Sequence, residues 1–291
     1  MSFAPVTRRG GTRGERMRSA LLVLPAVVVA AVVAGGGLGA TALQALGLMP
    51  VAGPVTPGLG AFTAHSDDLF AAVTVSLAIA ASATVIAVVV GTAAAVVIAA
   101  GKTGSRVLAG LGATAITVPH LIGAATVGLL LSDAGVLPRL LGIAPDAWPA
   151  WVGGPLWGAV IVEFAWKESA FVALVVTGTL ATRIATYDET AALLGAGRWK
   201  RFRHVLLPLT APTIVICATI SFVYALGSYE VSWLLGRSYP EPLPVLAVRL
   251  FQGVALDSRP EAAAVALVTS AIALAVVGLA FAALRRTAVW R

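Results

Sequence analysis

Asp188 to Pro208 reads DETAALLGAGRWKRFRHVLLP and is the longest polar, basic interruption in an otherwise apolar chain. Arg198, Lys200, Arg201 and Arg203 crowd into six residues, with long hydrophobic segments on both sides. Hydrocarbon offers such a segment no solvation, so it must project into water between two membrane spans. Good helix formers fill Glu189 to Leu194, and Gly195 and Gly197 interrupt them. Trp199 to Leu207 resumes the helical pattern before Pro208 opens the next span. Two short helices on a membrane face form a surface, and a surface of this kind suits docking.

Working outward, composition settles the class. Hydrophobic residues make up 59% of the 291 and charged residues only 11%, against about 25% charged in soluble domains. The expected fold is therefore an all-α integral membrane protein. The net charge of +7 does not imply nucleic acid as a partner, because the basic residues are spread over short loops and ends rather than gathered on one face. The single cysteine, Cys217, lies in an apolar run without metal-ligand neighbours and reads as buried filler.

The first segment, residues 1 to 18, carries Arg8, Arg9, Arg13, Arg16 and Arg18 against Glu15 and reads as a cytoplasmic basic tail. Residues 19 to 48 follow as a first transmembrane helix. The run from Ala20 to Ala34 also has the character of a signal-peptide core, with Ala40 and Ala42 as cleavage-site residues, but the apolar stretch is long enough to span. A core from 69 to 284 comes next, beginning with a span over Leu69 to Ala100. Two fourfold rows of small residues mark that span: Ala72, Ser76, Ala80, Thr84, and Ala83, Ala87, Gly91, Ala95. Such rows let helix backbones approach closely in lipid. Gly101-Lys102-Thr103 is not a phosphate loop, because Val96 occupies the position of the first glycine and membrane spans flank it.

A third span covers 107 to 131, with Pro119 and His120 near its middle. The carbonyl that Pro119 frees needs a donor from a neighbouring helix. His120 reads either as lining a path or as a hydrogen-bonded structural residue. Span four, 155 to 180, contains Glu163, Trp166, Lys167 and Glu168. Charges at that depth are costly and normally face a bundle interior. Glu163 and Lys167 stand i and i+4 and can pair on one face; they either edge a translocation path or fix helix packing. Span five, 209 to 235, ends in Tyr224, Gly227, Ser228, Tyr229, Glu230 and Trp233. There Gly-Ser-Tyr-Glu can interrupt the helix, and the aromatic rings offer faces to a cation beside Glu230, or else form an interfacial belt. A proline-rich loop with a short helix near 246 to 253 leads to span six, 261 to 284, and a cytoplasmic tail, 285 to 291.

Charge distribution orients these spans. Fifteen of the twenty Lys and Arg residues fall in the tail, the turn after span two, the 182 to 208 loop and the C-terminal end. Only Arg139, Arg237, Arg249 and Arg259 fall on the opposite side, with Lys167 in the membrane. Six transmembrane helices with both termini cytoplasmic satisfy the positive-inside rule.

Glu189, Ala191, Gly195, Ala196, Phe202, Val205, Leu207 and Pro208 resemble the "EAA" loop of bacterial ABC importer permeases, with Thr190 in place of the first alanine. Trp166-Lys167-Glu168 and Phe171 are similar to a pattern of the spermidine/putrescine-like group, although Ala170 stands where that group has proline. The resemblance implies an importer-permease bundle in the bacterial inner membrane with a cytoplasmic coupling-helix loop. On this reading Glu189, Ala191, Gly195, Ala196, Arg198, Phe202 and Pro208 face an ATPase. Glu163, Trp166, Lys167, Glu168, Tyr224, Tyr229, Glu230 and Trp233 are candidates for the path. Implied partners are an ABC ATPase dimer, a second permease subunit, an extracytoplasmic solute-binding protein and the lipid bilayer. The chain itself is expected to be no enzyme and to bind no cofactor or metal, with ATP held by the partner. Cargo is expected to be a polyamine-type solute; iron, thiamine, phosphonate and sugars are the alternatives. Two other classes compete. A secondary transporter would show related halves, and a membrane enzyme would need convergent groups, for which only Glu163, His120 and Glu168 are available.

Overall fold

A computed structural model describes residues 13–51, 53–101, 104–183, 185–254 and 258–286. Most of the N-terminal tail, Lys102 and Arg291 thus lie outside the described residues, as does the side chain of Glu189. Helices α1 (Arg13–Ala45), α3 (Ser66–Ala99), α7 (Gly158–Arg183), α10 (Leu207–Gly227) and α13 (Arg259–Arg286) are the long elements. Shorter helices join them: α2 (Gly60–Thr63), α4 (Ser105–Thr117), α5 (His120–Leu131), α6 (Val136–Leu141), α8 (Ala185–Leu193), α9 (Arg198–Arg201), α11 (Glu230–Leu235) and α12 (Leu243–Gln252). Among the described residues, five stretches are long and apolar enough to cross a membrane: Leu21–Ala45, Ser66–Ala99, His120–Leu141, Arg198–Gly227 and Arg259–Arg286. Helix α7 has comparable length, 26 residues, but carries Glu163, Lys167 and Glu168.

The centre of the bundle is the packing of α3 along α7, with α10 lying against both. Both small-residue rows of α3 are buried, from Ala72 to Ala95. Their smallness sets the helix separation. A Cβ on Gly91 would stand 2.6 Å from the Ser169 carbonyl oxygen and 2.6 Å from Val172 Cβ. Ser76 has a second use, because its hydroxyl accepts the Leu243 backbone N–H at 2.7 Å and so anchors the start of α12. Around this seam, Phe164, Leu226, Val231, Leu235, Leu243 and Leu246 form the main core. Cys217 is buried with Val172, Val176 and Leu180 in a second cluster. The outward faces carry Val85, Val89, Leu129, Leu274 and Phe281, all exposed. An apolar outer surface of that extent requires lipid. Helix α1 packs on the rest through its C-terminal end, where Ala45 meets Ala263, Ala264 and Leu267.

Three expected boundaries are corrected. The third span is not one helix over 107 to 131: α4 stops at Thr117, Val118 is extended with ψ 124° and α5 restarts at His120. A residue before proline is driven out of the helical region, and proline cannot donate to the preceding turn. The fifth span ends at Gly227, and Ser228 and Tyr229 separate it from α11, as Gly-Ser-Tyr-Glu allowed. Pro208 does not begin a new helix. Arg198 to Gly227 is continuous, and the Leu207 N–H reaches back to the Phe202 carbonyl through a π turn over Phe202–Leu206. The widened turn accommodates a proline ring that an α-helical turn would expel.

Gly91→Ala is expected to lower stability by about 1–3 kcal/mol through overpacking. Gly278→Ala, where a Cβ meets nothing within 4 Å, should keep stability or raise it by up to about 1 kcal/mol through helix propensity. Thermal unfolding of the purified chain in detergent checks both, and equal midpoints would contradict the close α3–α7 contact.

Candidate coupling surface and intramembrane cluster

The Asp188–Pro208 loop closes α8 by backbone geometry alone. Gly195 adopts φ +81°, its N–H bonds the Ala192 carbonyl at 3.0 Å, and the Ala196 N–H bonds the Ala191 carbonyl at 3.0 Å. This is a glycine-terminated helix end with two orphan carbonyls satisfied. Ala191, Gly195 and Ala196 thus act together as one backbone-defined helix end. A Cβ on Gly195 would touch nothing within 4 Å, so the glycine is required by its backbone angle and not by lack of space. Gly197 then opens α9, and the Arg201 guanidinium donates to the Asp188 carboxylate at 2.8 Å, tying α9 back to α8. The Trp199 and Phe202 rings stack at 5.6 Å.

This hairpin of short helices seats on the ends of α3 and α7. Phe202 and Leu206 border a hollow of about 520 Å³ with Val96, Ala100, Leu180 and Arg201. On the outer side Leu193, Leu194 and Trp199 are 89%, 83% and 70% exposed. Arg198, Lys200, Arg203 and Pro208 are exposed beside them. Large apolar side chains held outward on a tightly closed, ion-paired loop form a patch flanked by cations.

The charges of α7 meet polar groups from two other helices. His120 begins α5, Glu163, Lys167 and Glu168 project from α7, and Ser221 and Tyr224 come from α10. Glu163 is fully buried, and its Oε1 lies 3.1 Å from His120 Nδ1. His120 Nε2 stands 3.8 Å from Glu168 Oε1, while the Ser221 hydroxyl donates to Glu168 Oε2 at 2.5 Å. The Tyr224 ring lies 4.6 Å from the His120 ring. Gly123 permits this approach, because a Cβ there would come within 2.9 Å of Glu163 Oε1.

Lys167 does not pair with Glu163 as the i, i+4 spacing predicts. No ion pair joins them among the described residues. The ammonium instead donates to the carbonyls of Ala115, at 2.5 Å, and Val118. The physical reason is the break beside it. In an unbroken helix the Ala115 carbonyl would take the N–H of residue 119, which is proline and has none. Lys167, 4% exposed, is the donor that the freed carbonyl required, and three N–H bonds from one cation suit that task. The residue composition gave no sign of Ser221, which only the fold brings to Glu168.

The remaining candidates do not join this cluster. Trp166 is partly exposed, with its ring 5.8 Å from Lys167 Nζ. Glu230 is exposed in the first turn of α11. Tyr229 and Trp233 stack on one another at 6.1 Å near the opposite end of the bundle.

Comparison with known proteins bears on this geometry. Residues 87–289 match the family described as binding-protein-dependent transport system inner membrane component. The chain belongs to that family. Relatives of this permease include the trehalose transport system permease protein SugA of Mycobacterium tuberculosis, 29% identical over 73% of this chain and 71% of that one. The sulfoquinovosyl glycerol transport system permease protein SmoG of Agrobacterium fabrum is 30% identical over 31% of this chain and 30% of that one. The putative 2-aminoethylphosphonate transport system permease protein PhnV of Salmonella choleraesuis is 30% identical, covering 60% of this chain and 58% of that one. In structure the permease is similar to a chain of a bacterial ABC transporter involved in the import of alginate. The TM-score is 0.73 at 19% identity, over 94% of this chain and 99% of that one. The permease is thus a multi-pass inner-membrane component of an ABC importer. These relatives are named for sugars and a phosphonate, so the narrower placement in a spermidine/putrescine-like group is not supported. In this chain Lys167 and Glu168 are hydrogen-bonded to groups of neighbouring helices.

Lys167→Met should leave two buried carbonyls without donors, costing about 1–3 kcal/mol for each. Thermal unfolding in detergent should show the loss, with Lys167→Arg recovering part of it. An unchanged midpoint for the methionine variant would contradict the assigned hydrogen bonds.

Proposed function

We propose that this permease forms half of the translocation pathway for a small polar solute and couples to a separate ATPase through the 188–208 loop. On this reading α7 is the sixth span. Its 26 residues give about 39 Å of helix at 1.5 Å per residue, enough to cross the hydrocarbon. Its three charges are compensated by His120, Ser221 and the α4 carbonyls, as charges at that depth require. Both termini and the loop then face the cytoplasm. ATP is bound and hydrolysed by the partner ATPase pair. A second permease subunit completes the path, and an extracytoplasmic solute-binding protein delivers cargo.

The observation that carries the coupling role is the outward Leu193, Leu194 and Trp199 on a hairpin closed by Gly195. Glu189 precedes that patch in sequence, the exposed Arg198 lies within it, and both supply charge for pairing with the ATPase. Closure of two ATPases on ATP moves this hairpin as a rigid body and switches the bundle between inward- and outward-open states. For cargo, the engagement of Glu163 by His120 and of Glu168 by Ser221 weakens the support that these acids give to a cation. A sugar or other polar organic solute fits better, in line with the relatives' names.

The test is copurification of an ATP-binding-cassette subunit, identified by mass spectrometry, with tagged permease from its native host. Gly195→Asp or Glu189→Lys should reduce recovery about tenfold with the permease still in the membrane. Gly195→Asn, which tolerates the left-handed region, should retain most of it. Unchanged recovery for both disruptive variants, or an extracellular reporter at Ala196, refutes the docking role.

A further inference from the structure

At the end of the bundle away from the loop, α11, the link from Gly236 to Pro242 and α12 enclose an open hollow of about 690 Å³. One wall is aromatic. Tyr229 and Trp233 stand i and i+4 and present rings inclined by only 22°. Trp233 is 61% exposed, so its face is bare. The opposite wall is polar, with Glu241, Arg249 and Gln252. Arg249 is held in place, donating from Nε to Glu241 at 2.8 Å and standing 3.8 Å from Asp68.

Flat apolar faces beside a fixed set of donors and acceptors suit one ligand chemistry above others. A sugar ring has C–H groups on its faces, which pack on aromatic rings, and hydroxyls round its edge, which exchange hydrogen bonds with a guanidinium, a carboxylate and an amide. The hollow falls in the size range of small-molecule sites, about 300–1,000 Å³. A cation is a poor match. Glu241 and Asp68 are both committed to Arg249, and Arg237 adds a further positive charge to the rim. The geometry points to a sugar-binding vestibule in which Tyr229 and Trp233 stack on a pyranose ring and Glu241, Arg249 and Gln252 bond its hydroxyls. It rests on the importer-permease reading and assigns that reading a cargo class.

Saturation-transfer NMR on the full chain in lipid nanodiscs, with trehalose, maltose and spermidine as probes, tests it. At least one disaccharide should receive saturation on its ring C–H protons, and spermidine should receive less. Trp233→Ala should cut the sugar signal about fivefold, and Trp233→Phe, which keeps a ring, should restore at least half. Phe281→Ala, an exposed aromatic on α13, should leave it intact. The proposal is overturned if neither sugar is saturated, if spermidine is saturated more strongly, or if Trp233→Ala changes nothing. In the last case, quenching of Trp233 fluorescence by doxyl lipids would assign the pair to the membrane interface instead. Gly195→Asp separates the two readings, because it should keep the sugar contact while losing the ATPase. Sugar contact without any recovered ATPase would overturn the coupling role alone, and the converse would overturn the vestibule alone.

Discussion

A helix that breaks within the bundle leaves backbone carbonyls without their helical donors, and the permease must provide for them. The break between α4 and α5 is where this demand is most visible. Pro119 withholds the N–H that Ala115 would have received, Val118 turns extended, and Lys167 reaches from α7 to both carbonyls. A buried ammonium is itself costly, so acids must stand near it, and Glu163 and Glu168 do so from the same helix. Those acids need partners in turn, which His120 and Ser221 supply. The charged cluster thus gathers around the helix break at Pro119. It joins α4, α5, α7 and α10 in one polar knot.

The knot holds because the helices around it are close. The buried small residues of α3 bring its backbone against α7, and Gly123 does the same for α5 beside Glu163 and Trp166. Side-chain volume is traded for backbone proximity, which in lipid replaces the hydrophobic drive between helices. Stability and polar satisfaction are therefore coupled. Widening the α3–α7 seam would shift α7 and every group it aims at the break.

Much of this was readable from residue order. The fourfold rows of α3, the glycine-broken loop and the interrupted Gly-Ser-Tyr-Glu segment each follow local rules of spacing and backbone preference. The freed carbonyl at Pro119 was equally legible as a debt, but its donor was not. Local spacing favoured a Glu163–Lys167 pair, whereas the unsatisfied carbonyls some fifty residues earlier in the chain outcompeted that acid for the ammonium. The same holds for Ser221 and His120, whose partners lie 53 and 43 residues away and whose roles exist only once three helices meet. The polyamine expectation rested on the likeness of Trp166-Lys167-Glu168 and Phe171 to a subgroup pattern, and in the fold Lys167 and Glu168 bond to groups of neighbouring helices. The role of Gly195 was located by its neighbours, but its cause is torsional, since open space surrounds the position.

The wide turn at Phe202–Leu206 has a mechanical meaning. Because it bends Pro208 into the helix instead of ending it, the rings of Trp199 and Tyr224 sit on a single rod, 25 residues apart and so separated by about 37 Å of helical rise. A rod transmits torque as well as thrust. A twist applied at the aqueous end must therefore reach the neighbourhood of His120 unless the five residues of the wide turn absorb it.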